Sequence, residues 1–254
     1  MGKTYRKPES LSDQYTHYCP GCTHGLIHRL VAEVIDELGI AGRTVGIAPV
    51  GCAVLAYNYF TFDFQESAHG RAPAMATGIK RVRPDLMVFT YQGDGDLASI
   101  GIAEIIHAAN RGEKFTTIFV NNAVYGMTGG QMAPTTMPDQ RTTTSPAGRN
   151  TADCGMPIRM VEMLSTLATP SYLSRHTVIR PKYVIKAKQA IKKAFVYQLE
   201  NRCFSLVELI STCPTNWGMS PQEAIDWTEK HLLAYYKLGE YKTPEPIEEV
   251  GNAK

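Results

Sequence analysis

Two groups of residues in this chain have types and spacings that suit chemistry. One is Gly93-Asp94-Gly95-Asp96, answered further along by Asn121-Asn122. Carboxylate and amide oxygens are hard ligands, suited to Mg²⁺ carrying a diphosphate. Gly93 and Gly95 let backbone N–H groups approach phosphate, and a helix starting there adds its positive end. A Gly-Asp turn alone is usually just a capped turn; paired asparagines after a second strand make it a candidate site. The other group is cysteine: Cys19-Pro20-Gly21-Cys22 as a tight pair, with Cys52 and Cys213 far off in sequence. Structural zinc sites of four cysteines use two Cys-x-x-Cys knuckles close together. A lone Cys-x-x-Cys can be redox-active, and Cys213-Pro214 matches the Cys-Pro that closes ferredoxin cluster motifs. On residues alone zinc, a redox pair and an iron–sulfur cluster all stay open.

The elements that must position these residues are legible in the periodicity. Residues 86–91 are an apolar run ending at the glycines, Ile102, Ile105, Ile106 and Ala109 recur at helical spacing, and residues 116–120 form a second buried strand. The unit is β-α-β with a parallel pair, delivering Asp94 and Asn122 to one crevice at the carboxyl ends of the strands. Upstream, Ile27, Leu30, Val31, Val34, Ile35 and Leu38 predict a helix stopped by Gly39, and residues 44–48 a strand ending near Cys52. Residues 53–64 are aromatic-rich, which reads as core or subunit interface before substrate wall. A small-residue helix follows Ala68-His69-Gly70-Arg71.

Residues 126–155 are rich in Gly, Thr and Pro and predict a long loop, of the kind that is functional or contacts other subunits. The Thr142-Thr143-Thr144 run within it reads as plain loop. A helix over 156–168, a strand over 171–174 and a basic amphipathic helix over 182–200 come next. A strand over 204–210 then brings Cys213 to the sheet edge that holds Cys52. A helix from Pro221 and a charged tail with Pro244 and Pro246 finish the chain. The class is α/β: an open parallel sheet with helices on both faces.

At 254 residues the chain is long enough for one domain with a sizeable core. We divide it into an arm over 1–18, a main domain over 19–220 and a helix and tail over 221–254. A net charge of +2 gives no electrostatic case for nucleic acid or membrane. No apolar run approaches a membrane span, and no apolar segment follows Met1 to Lys7, so a secretory signal is not expected. Arg6 stands where a myristoylation motif wants Ser or Thr. A cytoplasmic location is expected, and with it free thiols rather than disulfides. Cys203 reads as a buried apolar residue; Cys154 is left open.

Gly93-Asp94-Gly95 through Asn121-Asn122 resembles the diphosphate-binding motif of thiamine-diphosphate enzymes. The longer string Asn122-Ala123-Val124-Tyr125-Gly126-Met127-Thr128-Gly129-Gly130-Gln131 resembles the β subunits of 2-oxoacid:ferredoxin oxidoreductases. The resemblance covers residues 15–220 and implies the thiamine-diphosphate-binding fold. It implies Mg²⁺ on Asp94, Asn122 and the Val124 main chain, with thiamine diphosphate held among Gly51, Cys52, His69, Gly70, Gly93, Asp94, Gly95, Asp96, Gly126, Met127 and Thr128. His69, in His-Gly-Arg, is the implied catalytic histidine. A 4Fe–4S cluster is implied on Cys19, Cys22, Cys52 and Cys213.

The implied reaction is oxidative decarboxylation of a 2-oxoacid to acyl-CoA and CO₂. The implied partners are an α subunit supplying the activating Glu, γ/δ-type subunits with further clusters, ferredoxin and coenzyme A. Some relatives carry lysines where this chain has Leu55 and Gly129. Losing both cations argues against a second substrate carboxylate and for a branched-chain substrate such as 2-oxoisovalerate. The alternatives are a 2-oxoglutarate or pyruvate enzyme, a non-oxidative thiamine decarboxylase or carboligase with structural cysteines, and a relay subunit without turnover.

Overall fold

In the computed structural model, residues 6–244 are described. Seven strands form one sheet: β1 (Thr44–Ala48), β2 (Asp63–Glu66), β3 (Met87–Gly93), β4 (Thr116–Asn121), β5 (Ser171–Thr177), β6 (Phe204–Ile210) and β7 (Gly239–Lys242). Their order is β2-β1-β3-β4-β6-β5-β7. The first six are parallel and β7 is antiparallel to β5, so the sheet is mixed at one edge. The longer helices are α1 (His24–Leu38), α2 (Ala72–Val82), α3 (Ile102–Arg111) and, after α4 (Thr151–Cys154) and α5 (Met160–Ser165), α6 (Pro181–Leu199). Two shorter ones, α7 (Pro214–Trp217) and α8 (Pro221–Trp227), follow β6. None is long and apolar enough to cross a membrane.

Alternation along the central strands builds two cores. Met87, Phe89 and Tyr91 face one side with the buried stripes of α1 and α6. Val88 faces the other, with Ala72 and Ala76 of α2, Ile105 of α3 and Leu164 of α5. Helices thus cover both faces, as expected of strands that read as unbroken apolar runs. Gly39 adopts the left-handed conformation (φ 64°) and ends α1 by donating its N–H to Ile35 and Asp36 carbonyls.

Three expectations change. Strand β2 begins at the end of the aromatic stretch, where no strand was expected; Phe60, Phe62 and Phe64 pack on one another and Phe62 and Phe64 meet Phe89 edge to face, so these rings pack at the core, as read from the sequence. The helix expected over 156–168 is shorter, because Pro157 precedes it and its first turn starts at Met160. Strand β7 lies in what read as a tail: its exposed edge pattern gives little apolar signal, and pairing with β5 decides it. Pro246 falls outside the described residues.

Candidate functional site

Strands β1, β3 and β4 end at one side of the sheet, around a cavity of about 270 Å³. Asp94 follows β3 and is buried. Its Oδ1 accepts from Gly95 N–H at 2.9 Å and its Oδ2 from the Thr135 hydroxyl at 2.7 Å. Burial pushes its pKa up to about 7, against these donors. A buried carboxylate in this position, without a cationic side chain paired to it among the described residues, has the chemistry of a metal ligand.

Asn122 follows β4, and its Oδ1 accepts from Val124 N–H at 3.3 Å. Between them Ala123 adopts a left-handed conformation (φ 60°), uncommon for a residue with a Cβ. Its neighbours impose that conformation: Asn121 Oδ1 accepts from Ala123 N–H at 3.2 Å, and the Thr136 hydroxyl donates to Ala123 O at 2.7 Å. The turn brings Asn122 and Val124 to the cavity wall together with Asp94, Gly93 and Gly95.

Asp96 has both oxygens engaged by protein. Oδ1 accepts from His69 Nδ1 (2.7 Å), Gly70 N–H (2.9 Å) and Val50 N–H (3.2 Å), and Oδ2 from Gln92 Nε2 (2.6 Å). It therefore knits together the loops after β1, β2 and β3, and acts by positioning rather than with a free oxygen. The bond to Asp96 turns His69 so that Nδ1 carries the proton and Nε2 is left for the cavity, which His69 lines. Gly70 does not line the cavity; it packs backbone to backbone on Gly101, where a Cβ on Gly70 would come within 2.7 Å of Gly101 N. Arg71 points away, bonded to Ile100 O at 3.2 Å and paired with Glu104. Gly51, Cys52, Gly126, Met127 and Thr128 complete the wall, with Met127 mostly exposed at the rim.

The four cysteines converge next to this cavity. A Cβ on Gly126 would lie 3.0 Å from Cys52 Sγ and 3.5 Å from Cys213 Sγ, so both sulfurs meet at one backbone position. The Cys19–Cys22 turn is tied to the end of β6, since Thr212 Oγ1 donates to Gly21 O at 2.7 Å. Burial, then repulsion from Cys213, Cys22, Asp94 and Cys19, pushes the Cys52 thiol up to about 12. Burial likewise raises Cys22 to about 11, with Cys213 and Cys19 adding to it. Buried thiols whose charges would repel one another suit a bound cationic centre, whose charge converts soft sulfur donors to thiolates. Among the described residues no three His, Cys, Asp or Glu side chains form a compact single-ion shell. Cys203 is buried and Cys154 exposed, and neither lines the cavity.

Several supporting residues were not visible in the sequence. Arg149 is buried in the 126–155 loop and donates to the carbonyls of Ala133, Pro134, Thr136, Cys154 and Gly155 at 2.9–3.2 Å, fixing the segment that carries Thr135 and Thr136. Glu208 is buried in β6, accepting from Asn121 Nδ2 (2.8 Å) and Arg175 Nε (2.7 Å). A charged residue inside the apolar run 204–210 was the one signal available for it.

Fold and cavity together define an α/β domain of the thiamine-binding class. Residues 49–209 match the family model "Thiamine pyrophosphate enzyme, C-terminal TPP binding domain". The chain is 51% identical over 250 residues to ketoisovalerate oxidoreductase subunit VorA of Methanothermobacter thermautotrophicus, covering 94% of this chain and 52% of that one. It is 35% identical over 222 residues to 2-oxoglutarate synthase subunit KorB of Archaeoglobus fulgidus, covering 87% and 77%. A solved 2-oxoglutarate:ferredoxin oxidoreductase from Magnetococcus marinus, with 2-oxoglutarate, coenzyme A and succinyl-CoA bound, superposes with a TM-score of 0.75 at 28% identity over 90% of this chain and 74% of that one. The chain belongs to the family of 2-oxoacid:ferredoxin oxidoreductase subunits that bind thiamine diphosphate. It spans about half the length of the VorA relatives.

Proposed function

We propose that this chain holds thiamine diphosphate, Mg²⁺ and a 4Fe–4S cluster, and with partner subunits converts a 2-oxoacid and coenzyme A to acyl-CoA and CO₂ while reducing ferredoxin. One observation carries this reading: Cys52 belongs to both sites. It lines the cavity with Asp94 and Asn122, and its sulfur meets Gly126 alongside that of Cys213. Thiamine diphosphate supplies the electron sink for decarboxylation, and an iron–sulfur cluster accepts electrons singly.

The chain's own residues bind and orient. Asp94, Asn122 and the Val124 main chain hold Mg²⁺, and Gly93 and Gly95 admit the diphosphate. His69, held by Asp96, presents Nε2 to the reacting end, and Gly126 to Thr128 cover the site. None of the described residues lining the cavity is a glutamate, which supports an activating Glu from an α subunit. Further clusters in γ/δ-type subunits would pass electrons to ferredoxin. Six free cysteines suit a reducing, cytoplasmic setting.

The substrate in this reading is a branched-chain 2-oxoacid such as 2-oxoisovalerate. Leu55 lies two residues after Ala53 and Gly129 directly after Thr128, and Ala53 and Thr128 line the cavity. A second substrate carboxylate there would lack a cation. The ketoisovalerate name of the VorA relatives points the same way.

The test is iron and acid-labile sulfide content, with low-temperature EPR after reduction, on chain purified anaerobically with its partners. About four irons per chain beyond the partners' share, lost in Cys52→Ala, are expected. Zinc or no metal, with aldehyde or acyloin as product, would favour the non-oxidative alternative. A higher kcat/KM for 2-oxoglutarate than for 2-oxoisovalerate would refute the substrate assignment.

A further inference from the structure

We infer that Asn216 is a positioning residue that ties the cysteine set to the loop over the thiamine cavity and raises the reduction potential of the cluster held there. The inference rests on the iron–sulfur reading above. Asn216 lies in α7, and its Nδ2 is 2.8 Å from Gly126 O and 3.2 Å from Cys213 Sγ. A carbonyl oxygen only accepts, so this atom is the amide nitrogen and not the amide oxygen. A primary amide has two N–H bonds, one for each partner.

The surroundings leave Asn216 little freedom. A Cβ on Gly130 would come within 2.9 Å of Asn216 Cβ, so the loop backbone lies directly against it. Cys213 caps α7 and accepts from Trp217 N–H at 3.0 Å, which makes Asn216 and Cys213 parts of one rigid turn. The other end of the bridge, Gly126, lines the cavity with Asp94. Asn216 thus joins the two halves of the site.

Reduction of a cluster adds one negative charge, shared by its cysteine sulfurs. An N–H directed at a sulfur stabilises that charge more in the reduced than in the oxidised state, and so raises the potential. Atoms and electrons balance without a further reactant: one electron enters, and the amide proton stays on nitrogen.

The experiment is an EPR-monitored redox titration of the full chain, purified anaerobically, as wild type, Asn216→Ala and Asn216→Asp. At a fixed ambient potential Asn216→Ala is expected to hold a reduced-to-oxidised ratio about tenfold lower, equivalent to about 59 mV for a one-electron couple. Asn216→Asp keeps the shape but replaces the donor with negative charge, and shifts the ratio further in the same direction. An unmoved midpoint in a variant with full iron content overturns the inference and leaves the cluster reading standing. A wild-type chain without iron overturns the cluster reading itself.

If both variants fail to retain the cluster, the wild type decides. Asparagine labelled with ¹⁵N only at the side-chain nitrogen should give a nitrogen coupling to the reduced cluster by pulsed EPR. Its absence overturns the inference.

Discussion

Asp94 is the residue on which the site turns, because it is buried, twice hydrogen-bonded and raised to about 7 by that burial. A group so placed is costly unless a cation meets it. Asp94→Asn keeps the shape and removes the charge. Thiamine diphosphate affinity in the presence of Mg²⁺, followed by calorimetry, is expected to fall at least about 100-fold, since loss of a mere supporting partner already costs 10–100-fold. Thr135 is such a partner. Thr135→Val removes the 2.7 Å bond to Oδ2 and is expected to weaken binding by about 10-fold or more, with little change in stability. Equal affinity in Asp94→Asn and wild type would remove Asp94 from the metal site.

The elements supply these residues through backbone ends, and their own charges matter inside the sheet. Arg175 of β5 and Glu208 of β6 are both fully buried, 2.7 Å apart, with Glu162 of α5 closing the far side at 2.6 Å. Glu208 also carries Asn121, whose side chain holds the left-handed Ala123 turn. Glu208→Ala leaves a buried guanidinium with one partner fewer, and such losses cost about 3–5 kcal/mol. Denaturant unfolding should record that loss, while replacing both residues with apolar ones of similar volume should recover much of it. The β-α-β unit and the Gly-Asp-Gly and Asn-Asn ends were legible because buried parallel strands are unbroken apolar runs and their ends carry polar residues. Four cysteines could be matched through the family pattern, although spacing alone left three chemistries open. Arg149, Thr135 and Asn216 were not legible. Thr135 and Asn216 reach a carboxylate and a carbonyl distant in sequence, and the Gly-, Thr- and Pro-rich loop that carries Thr135 and Arg149 has no period to place them. Strand β7 escaped for a related reason: only its partner β5 defines it.

For the whole molecule two properties follow from what is buried and what is missing. Burial lowers His176 and His24 to about 4, and the second also feels His17. The unfolded chain protonates both near pH 6.5, while the folded chain resists until about pH 4, so the unfolded state binds more protons in that window. Stability is therefore full above pH 6.5 and lost as pH falls towards 4, by about 1.4 kcal/mol per pH unit for each group. Melting measured from pH 7 to pH 5 should show this, and His176→Leu should flatten the curve by about 2 kcal/mol at pH 5. The second property concerns assembly. The cavity has no glutamate among its described lining residues, and apolar Met127 and Ile100 stand exposed at its rim. In the proposed reading another chain supplies the activating acid and covers these apolar side chains. The isolated chain should bind thiamine diphosphate with Mg²⁺ in calorimetry yet give no CO₂ from 2-oxoisovalerate with coenzyme A and ferredoxin. Adding the partner subunits should restore turnover. Full turnover by the isolated chain would mean that the acid comes from within it, and would end the proposal of a shared site.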